Sequence, residues 1–163
     1  MPNFNMKLFP TKELEFKLLN DQTETLERLN RRTERSDNLM SQFTDKSFRG
    51  IINGNEFKLI SSAIGKGAFC VMSGQINSVN GSVKVEINKV FRILLIIILL
   101  FPFVGIVVMA IIKPEEFSPI MILVAIGQIL MIRYIFIGIA FRFLSRESLN
   151  RFRDVLDLDW IKN

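Results

Sequence analysis

Residues 90–112 read VFRILLIIILLFPFVGIVVMAII, and residues 119–141 read PIMILVAIGQILMIRYIFIGIAF. An α-helix rises about 1.5 Å per residue, so each run is long enough to cross a bilayer core of about 30 Å. Only the segment KPEEFS, residues 113–118, separates the two runs. This pattern predicts a hairpin of two transmembrane helices with a short turn, and it indicates an integral membrane protein.

The charges that flank the hairpin predict its orientation. Basic residues stand on both outer sides: Lys84, Lys89 and Arg92 before it, and Arg142, Arg146, Arg151 and Arg153 after it. The turn carries Lys113 against Glu115 and Glu116. Positively charged flanks stay on the cytoplasmic side. We therefore expect a two-span protein of the cell (inner) membrane, with both termini in the cytoplasm and the turn outside.

Residues 1–89 can form one small domain, and their composition limits its chemistry. The chain has no histidine and a single cysteine, Cys70. A thiolate nucleophile usually needs an adjacent base, and zinc sites need several Cys or His ligands. We therefore predict no enzymatic activity, no metal and no cofactor. We interpret Cys70 as a small core residue of a strand, because a free cysteine behaves as a small apolar side chain. A lone thiol also agrees with a reducing compartment.

The basic surplus of the chain is small. The net charge is +5, and residues 1–90 hold thirteen Lys/Arg against ten Asp/Glu. Proteins that bind nucleic acid concentrate basic residues in a patch or stripe. The spread-out surplus indicates a lipid bilayer as partner and predicts no nucleic-acid partner.

The domain before the hairpin is predicted to be α+β. Residues 4–8 alternate apolar and polar side chains, which predicts a short first strand ended by Pro10. Thr11 can cap a helix that carries leucines on one face. We predict one N-terminal amphipathic helix from about Lys12 to Arg32, which covers one face of a sheet.

Strand patterns follow the predicted helix. The predicted strands, which form an antiparallel meander, are residues 48–52, 56–63, 68–79 and 83–87. A turn is expected at Asn53-Gly54-Asn55, and Asn80-Gly81 predicts a two-residue type I′ hairpin. The last strand alternates apolar and polar residues, so one of its faces should be buried. Only Asn88 and Lys89 separate it from the first apolar run, so the small antiparallel sheet should lie close to the membrane.

Residues 142–163 are predicted to form a short cytoplasmic amphipathic tail. Apolar residues recur there at helical spacing: Leu149, Phe152, Val155, Leu156 and Trp160. Such a helix can lie in the headgroup region with Trp160 at the interface. It can equally dock against the β domain or another subunit, and the sequence leaves both alternatives open.

The layout resembles a family of short, uncharacterised bacterial membrane proteins. The resemblance is carried by Ser47-Phe48-Arg49-Gly50, Phe57-Lys58-Leu59-Ile60, Ser73-Gly74-Gln75-Ile76, and residues 83–88 running straight into the hairpin. It spans roughly two-thirds of the chain. It implies a small β domain followed by a two-helix transmembrane hairpin, and it implies no specific function.

Polar and helix-bending residues inside the hairpin are candidate functional positions. Arg133 lies within the second run, where an arginine is costly unless it is paired or reaches water. It either snorkels to the headgroups or lines a subunit interface or aqueous path, with Gln128 as a candidate partner. Pro102 and Gly105 form either a hinge or a statically packed bend in the first run. The candidate interfacial anchors are Arg92, Arg142, Arg146 and Trp160.

Two functions remain in view from these features. The preferred hypothesis is a membrane-anchored cytoplasmic binding or scaffold module that engages a protein or ligand through its β domain. The alternative is an oligomeric pore-forming or membrane-perturbing effector, gated by the soluble domain, in which the hairpins self-associate. Growth arrest and dye entry on expression would favour the alternative.

Overall fold

The computed structural model describes residues 8–40, 42–63 and 66–161. Contacts between Cα atoms divide this part of the chain into two units. The first unit contains residues up to 88 and residues from 141 onward, and the second contains residues 89–140. The predicted tail therefore belongs to the same unit as the predicted β domain.

The first unit is built on a seven-stranded mixed sheet in the order β2-β3-β4-β5-β6-β1-β7. The strands are β1 Thr11–Leu18, β2 Thr33–Arg35, β3 Phe48–Asn53, β4 Glu56–Ser61, β5 Cys70–Ile76, β6 Asn80–Ile87 and β7 Leu158–Trp160. The short β2 pairs with β3 in parallel, and the other neighbours are antiparallel. The predicted meander is confirmed as β3 to β6, but the prediction of a small, wholly antiparallel sheet was wrong.

The predicted helix from Lys12 to Arg32 was also wrong, because its first half is strand β1. Every second side chain of β1 from residue 14 turns inward, and Phe16 and Leu18 are buried. Helix α1 is shorter and spans Gln22–Arg32. Its N-cap is Asp21, whose carboxylate accepts a hydrogen bond from the backbone N–H of Thr23 at 3.3 Å, so Thr11 is not a cap. The strand predicted at residues 4–8 lies, except for its last residue, outside the described residues.

The predicted turn at Asn80-Gly81 was wrong, whereas the turn at Asn53-Gly54-Asn55 is confirmed. Gly81 already pairs with Ile76 in the ladder between β5 and β6. The connecting turn precedes it, and the backbone N–H of Asn77 donates to the carbonyl of Asn80 at 2.8 Å. A Cβ atom at Gly81 would overlap the ring of Phe16. The glycine is therefore required by close packing across the sheet and not by the turn.

Four phenylalanines form the centre of the first unit. Phe16, Phe48 and Phe57 project from one face of the sheet, as the strand register requires. Their ring centroids lie 5.8, 6.0 and 5.1 Å from that of Phe152. Phe152 belongs to helix α4, Ile137–Leu156. The apolar stripe of the tail therefore docks against the sheet, the second of the two alternatives that the sequence left open.

The tail does not remain helical as far as Trp160. Helix α4 ends at Leu156, and Asp157 has a φ of 51°, in the left-handed region. The chain then extends into β7, which pairs with the second half of β1. Trp160 lies in that strand, and its ring contacts the ring of Phe16 edge to face at 6.1 Å.

The second unit contains the two apolar runs. Helix α2 spans Lys89–Ile112, and a 3₁₀ turn at Pro114–Glu116 leads to helix α3, Pro119–Leu130. A π-helical segment, Met131–Phe136, joins α3 to α4, so that a continuous helix runs from Pro119 to Leu156. Both long helices have the length and apolar composition needed to cross a membrane, and few of their side chains are buried. This coarse part of the hairpin prediction is confirmed.

Candidate functional site

Strand β1 has an open edge over its first half. Strand β7 pairs only with residues 16–18 of β1. The backbone N–H of Ile161 adds one more hydrogen bond, to the carbonyl of Glu15 at 3.0 Å. Among the described residues, no strand continues this pairing toward Thr11.

The hydrogen bond accepted by the carbonyl of Glu15 shows which backbone N–H and C=O groups of β1 point toward the open edge. Successive residues of a strand direct their N–H and C=O groups alternately to the two sides. Since the carbonyl of Glu15 points toward β7, the backbone groups of Glu13 and Thr11 point to the same side. These groups can pair with an additional extended chain without disturbing the ladder between β1 and β6.

A depression of about 1310 Å³, here called the β1 depression, includes this edge. Its lining residues are Lys12, Glu13, Leu14, Glu15, Ile51, Asn53, Glu56, Phe57, Lys58, Ser73, Gly74, Gln75, Ser82, Val83, Lys84, Arg146, Leu149, Asn150, Trp160 and Ile161. Charged side chains of both signs and amides make up half of this set, and apolar side chains make up most of the rest. Such a mixed lining suits a peptide segment, which brings its own donors and acceptors together with apolar side chains.

Some of the charges in the β1 depression already form pairs. The ammonium group of Lys84 lies 4.0 Å from the carboxylate of Glu13 and also pairs with Glu86. The Lys84 and Glu13 side chains are 40 % and 67 % exposed, so a pair of this kind contributes little to stability. A partner can therefore exchange these ion pairs for its own at low cost.

Helix α4 supplies one wall of the β1 depression. Its buried residue Phe152 sets the rotation of the helix on the sheet, and Leu149 and Asn150 then reach the depression. Arg146, which the sequence indicates as an interfacial anchor, also lines the depression. Trp160, a second predicted anchor, also lines the depression and belongs to β7.

A smaller depression of about 400 Å³ lies beside α1 and contains three arginines. Arg28 bonds to Asp157, and its guanidinium also lies 3.1 Å from the carboxylate of Glu24. The hydrogen bond that the guanidinium of Arg28 donates to Asp157 raises the pKa of Arg28 above its usual value. The pair between Arg28 and Asp157 joins α1 to the residue that follows α4. Because Arg28 is already paired within the chain, this cluster is a weaker candidate for binding a partner.

Cys70 is a core residue, as predicted. It is the first residue of β5 and has no exposed surface. Burial raises the pKa of its thiol to about 12. A thiol with such a pKa carries almost no thiolate at neutral pH and is a poor nucleophile. Among residues 8–40, 42–63 and 66–161, no three Cys, Asp or Glu side chains are grouped to hold a metal ion.

The structure also places the candidates inside the hairpin. Gln128 lies in α3 with an exposed side chain, and Arg133 lies in the π-helical segment. The guanidinium of Arg133 is 5.4 Å from the centre of the Tyr134 ring. Helix α2 continues through Pro102, and open space surrounds Gly105, so no steric contact requires a glycine there. The roles of these four residues stay predictions, as do the roles of Arg92, Arg142, Arg146 and Trp160 as interfacial anchors.

No family model matches the chain, and no curated protein and no solved structure is significantly similar to it. The resemblance to short bacterial membrane proteins therefore stays a prediction, and the function is inferred from the described residues alone.

Sequence reasoning missed strand β1, which carries the open edge, although a signal for the strand was present. Leu14, Phe16 and Leu18 alternate with charged residues, which is the pattern of a half-buried strand. The same segment also has Leu14 and Leu18 at helical spacing, and that spacing led to the helix prediction.

Proposed function

We propose that this protein is a membrane-anchored cytoplasmic binding module without enzymatic activity. Its partner is another protein, and an extended segment of that partner adds to the sheet at the open edge of β1. The observation that carries this proposal is the position of that edge within the β1 depression of about 1310 Å³. Backbone pairing would provide affinity, and the mixed charges of the depression would select the partner sequence.

The two long apolar helices support the anchoring part of the proposal. They have the length and composition of membrane spans, and many of their large side chains are exposed, as lipid contact requires. The basic residues on both outer flanks favour an orientation in which the hairpin crosses the inner membrane, the first unit lies in the cytoplasm and the turn lies outside. A domain fixed at the membrane surface would hold its partner there.

A photo-crosslinking side chain at position 13 tests the edge. We expect the full-length protein, irradiated in cells, to give an adduct of discrete mass from position 13 and none from position 24. Glu13 and Glu24 are a matched pair, because their side chains are 67 % and 58 % exposed and only Glu13 lines the β1 depression. The change Thr11→Pro should weaken the position 13 adduct, since it removes an outward N–H and leaves the pairing with β6 in place.

Three outcomes of this experiment would contradict the proposal: equal adducts from positions 13 and 24, no adduct from position 13, or an adduct that Thr11→Pro leaves unchanged. An adduct with twice the mass of the chain would show that a second copy of this protein binds at the edge, and it would contradict the proposal of a different protein as the partner.

Arg133 and Gln128 favour a second candidate function, the assembly of hairpins into a pore or membrane-perturbing oligomer. Polar side chains inside a span can hydrogen-bond across helices, and π-helical segments occur frequently at functional sites. Both features are present between Gln128 and Arg133.

Replacing Arg133 with lysine or leucine separates the two candidate functions. For an anchored binding module we expect unchanged oligomer size and unchanged ion leakage from vesicles in both variants, because a snorkelling cation is dispensable. For a pore, Arg133→Leu should change both quantities, and lysine should not restore the planar guanidinium contact. Chemical crosslinking and dye release measure the two quantities.

A further inference from the structure

The two ends of the sheet in the first unit differ in their connections. One end, here called the exit end, comprises residues 8–10, 39–40, 42–47, 66–69 and 88. At this end the chain leaves the first unit, because Asn88 is bonded directly to Lys89, the first residue of α2. The strand register places the start of β1 here, since Thr11 pairs with Glu86 near the end of β6. The far end carries the turns at residues 53–56 and 77–80.

A loop with exposed apolar side chains covers part of the exit end. Phe43 is 89 % exposed and Met40 is 55 % exposed. Leu8, which precedes β1, is also 55 % exposed. Single exposed apolar residues are common on soluble proteins, but several at one end of a domain indicate a contact surface.

The loop is held in place while it exposes these side chains. The side-chain amide of Asn88 donates to the carbonyl of Leu39 at 2.9 Å, and Arg49 donates to the side chain of Gln42. The hydroxyl of Ser62 donates to the carbonyl of Lys46. Since Met40 and Phe43 lie between these fixed points, their exposure follows from the fold of the loop.

The start of α4 within the first unit lies beside the exit end. The side chain of Phe143 is 62 % exposed, and the ammonium group of Lys66 lies 5.8 Å from the centre of its ring. Lys66 also pairs with Glu147 at 3.8 Å. The chain returns to the first unit at Phe141, so both of its connections to the apolar unit are near exposed apolar side chains.

From this arrangement we infer that the exit end is a lipid-binding surface, in which Phe43, Met40, Leu8 and Phe143 insert into the headgroup region of the bilayer. The inference rests on the proposed membrane anchoring. A bilayer is the fitting occupant because no linker separates Asn88 from α2, and a domain joined in this way stays within reach of the membrane surface. Glu147 pairs with Lys66, and Asp45 is the sequence neighbour of Lys46, so acidic residues accompany both lysines. Binding should therefore depend on apolar insertion more than on anionic lipid.

Tryptophan fluorescence of the full chain in vesicles tests this surface. The only native tryptophan is removed with Trp160→Phe, and the probe is introduced with Phe43→Trp. The vesicles contain zwitterionic lipid, with or without bromine atoms near the headgroup end of the acyl chains. We expect brominated lipid to quench the probe at position 43 and aqueous acrylamide to quench it only weakly. Adding anionic lipid should change neither result.

Val79→Trp in the same background is the matched control. Val79 is exposed and apolar as well, but it lies in the turn at the far end of the sheet. Acrylamide should quench this probe several-fold more strongly than the probe at position 43, and brominated lipid should not quench it.

A third probe separates failure of this inference from failure of the anchoring. Ile98→Trp lies in the middle of α2, and lipid brominated deep in the acyl chains should quench it. If the Ile98→Trp probe is quenched but position 43 behaves like position 79, the lipid-binding surface is refuted and the anchoring stands. If Ile98→Trp is not quenched, both are refuted. A probe at position 43 that is shielded from acrylamide and from brominated lipid would overturn the assignment in favour of a protein contact.

Discussion

Replacing Phe152 with alanine should lower the free energy of unfolding of the first unit by about 3–5 kcal/mol. The side chain has no exposed surface, and its ring contacts phenylalanines on three strands. Truncation removes these contacts and leaves a cavity that a sheet and a helix cannot easily close. Urea unfolding of the full chain in detergent, followed by the fluorescence of Trp160, measures the change. This tryptophan is the only one in the chain, and it contacts Phe16 in the same cluster.

Phe143→Ala is the matched control, because it makes the same truncation in the same helix. Phe143 is 62 % exposed, so its loss should cost less than about 1 kcal/mol. Equal losses from the two variants would contradict the docking of α4 on the sheet. Equal losses would instead favour the alternative in which the apolar stripe of the tail faces lipid.

The two long apolar helices and the meander could be predicted because their patterns are local. Long apolar runs without a strand pattern predict long apolar helices, and the alternation in residues 83–87 matches a strand period of two. Cys70 was assigned correctly for a similar reason, since a lone thiol between strand-forming residues is usually a core residue. No long-range information was needed for these elements.

Strand β1 shows where local patterns become insufficient. In residues 11–18, leucines four apart fit a helix, and Leu14, Phe16 and Leu18 fit a strand equally well. These residues form a strand because they pair with β6 and β7, which lie roughly seventy and one hundred and forty residues away in sequence. Tertiary pairing overrides a weak helical preference. The open edge of β1 depends on the length of β7 and therefore could not be predicted.

The docking of the tail depends on long-range structure in the same way. The stripe that includes Phe152 and Leu156 is equally suited to the acyl-chain boundary of a bilayer and to a sheet, because both present an apolar surface to one side of a helix. Docking of the tail requires a sheet face on which Phe16, Phe48 and Phe57 are neighbours. Those residues come from three separate strands. The sequence contains these residues but does not show that they meet.

A reporter that is active only outside the cytoplasm should give an all-or-none result at two positions. Fused after Asn163 it should be silent, and inserted at Glu115 it should be active. The physical reason is the distribution of lysine and arginine: seven flank the hairpin on its outer sides, and only Lys113 lies in the turn. Short loops of this kind follow the positive charges closely, because acidic residues contribute little to orientation.

A second reporter, active only in the cytoplasm, should give the reverse result at the same two positions, which guards against a fusion that merely fails to insert. A silent external reporter at both positions would indicate that the hairpin does not cross the membrane, and the anchoring would then fall. Activity after Asn163 with silence at Glu115 would place the first unit outside the cytoplasm. The thiol of Cys70 would then lie in an oxidising compartment, and the partner that adds to β1 would have to be an external protein rather than a cytoplasmic one.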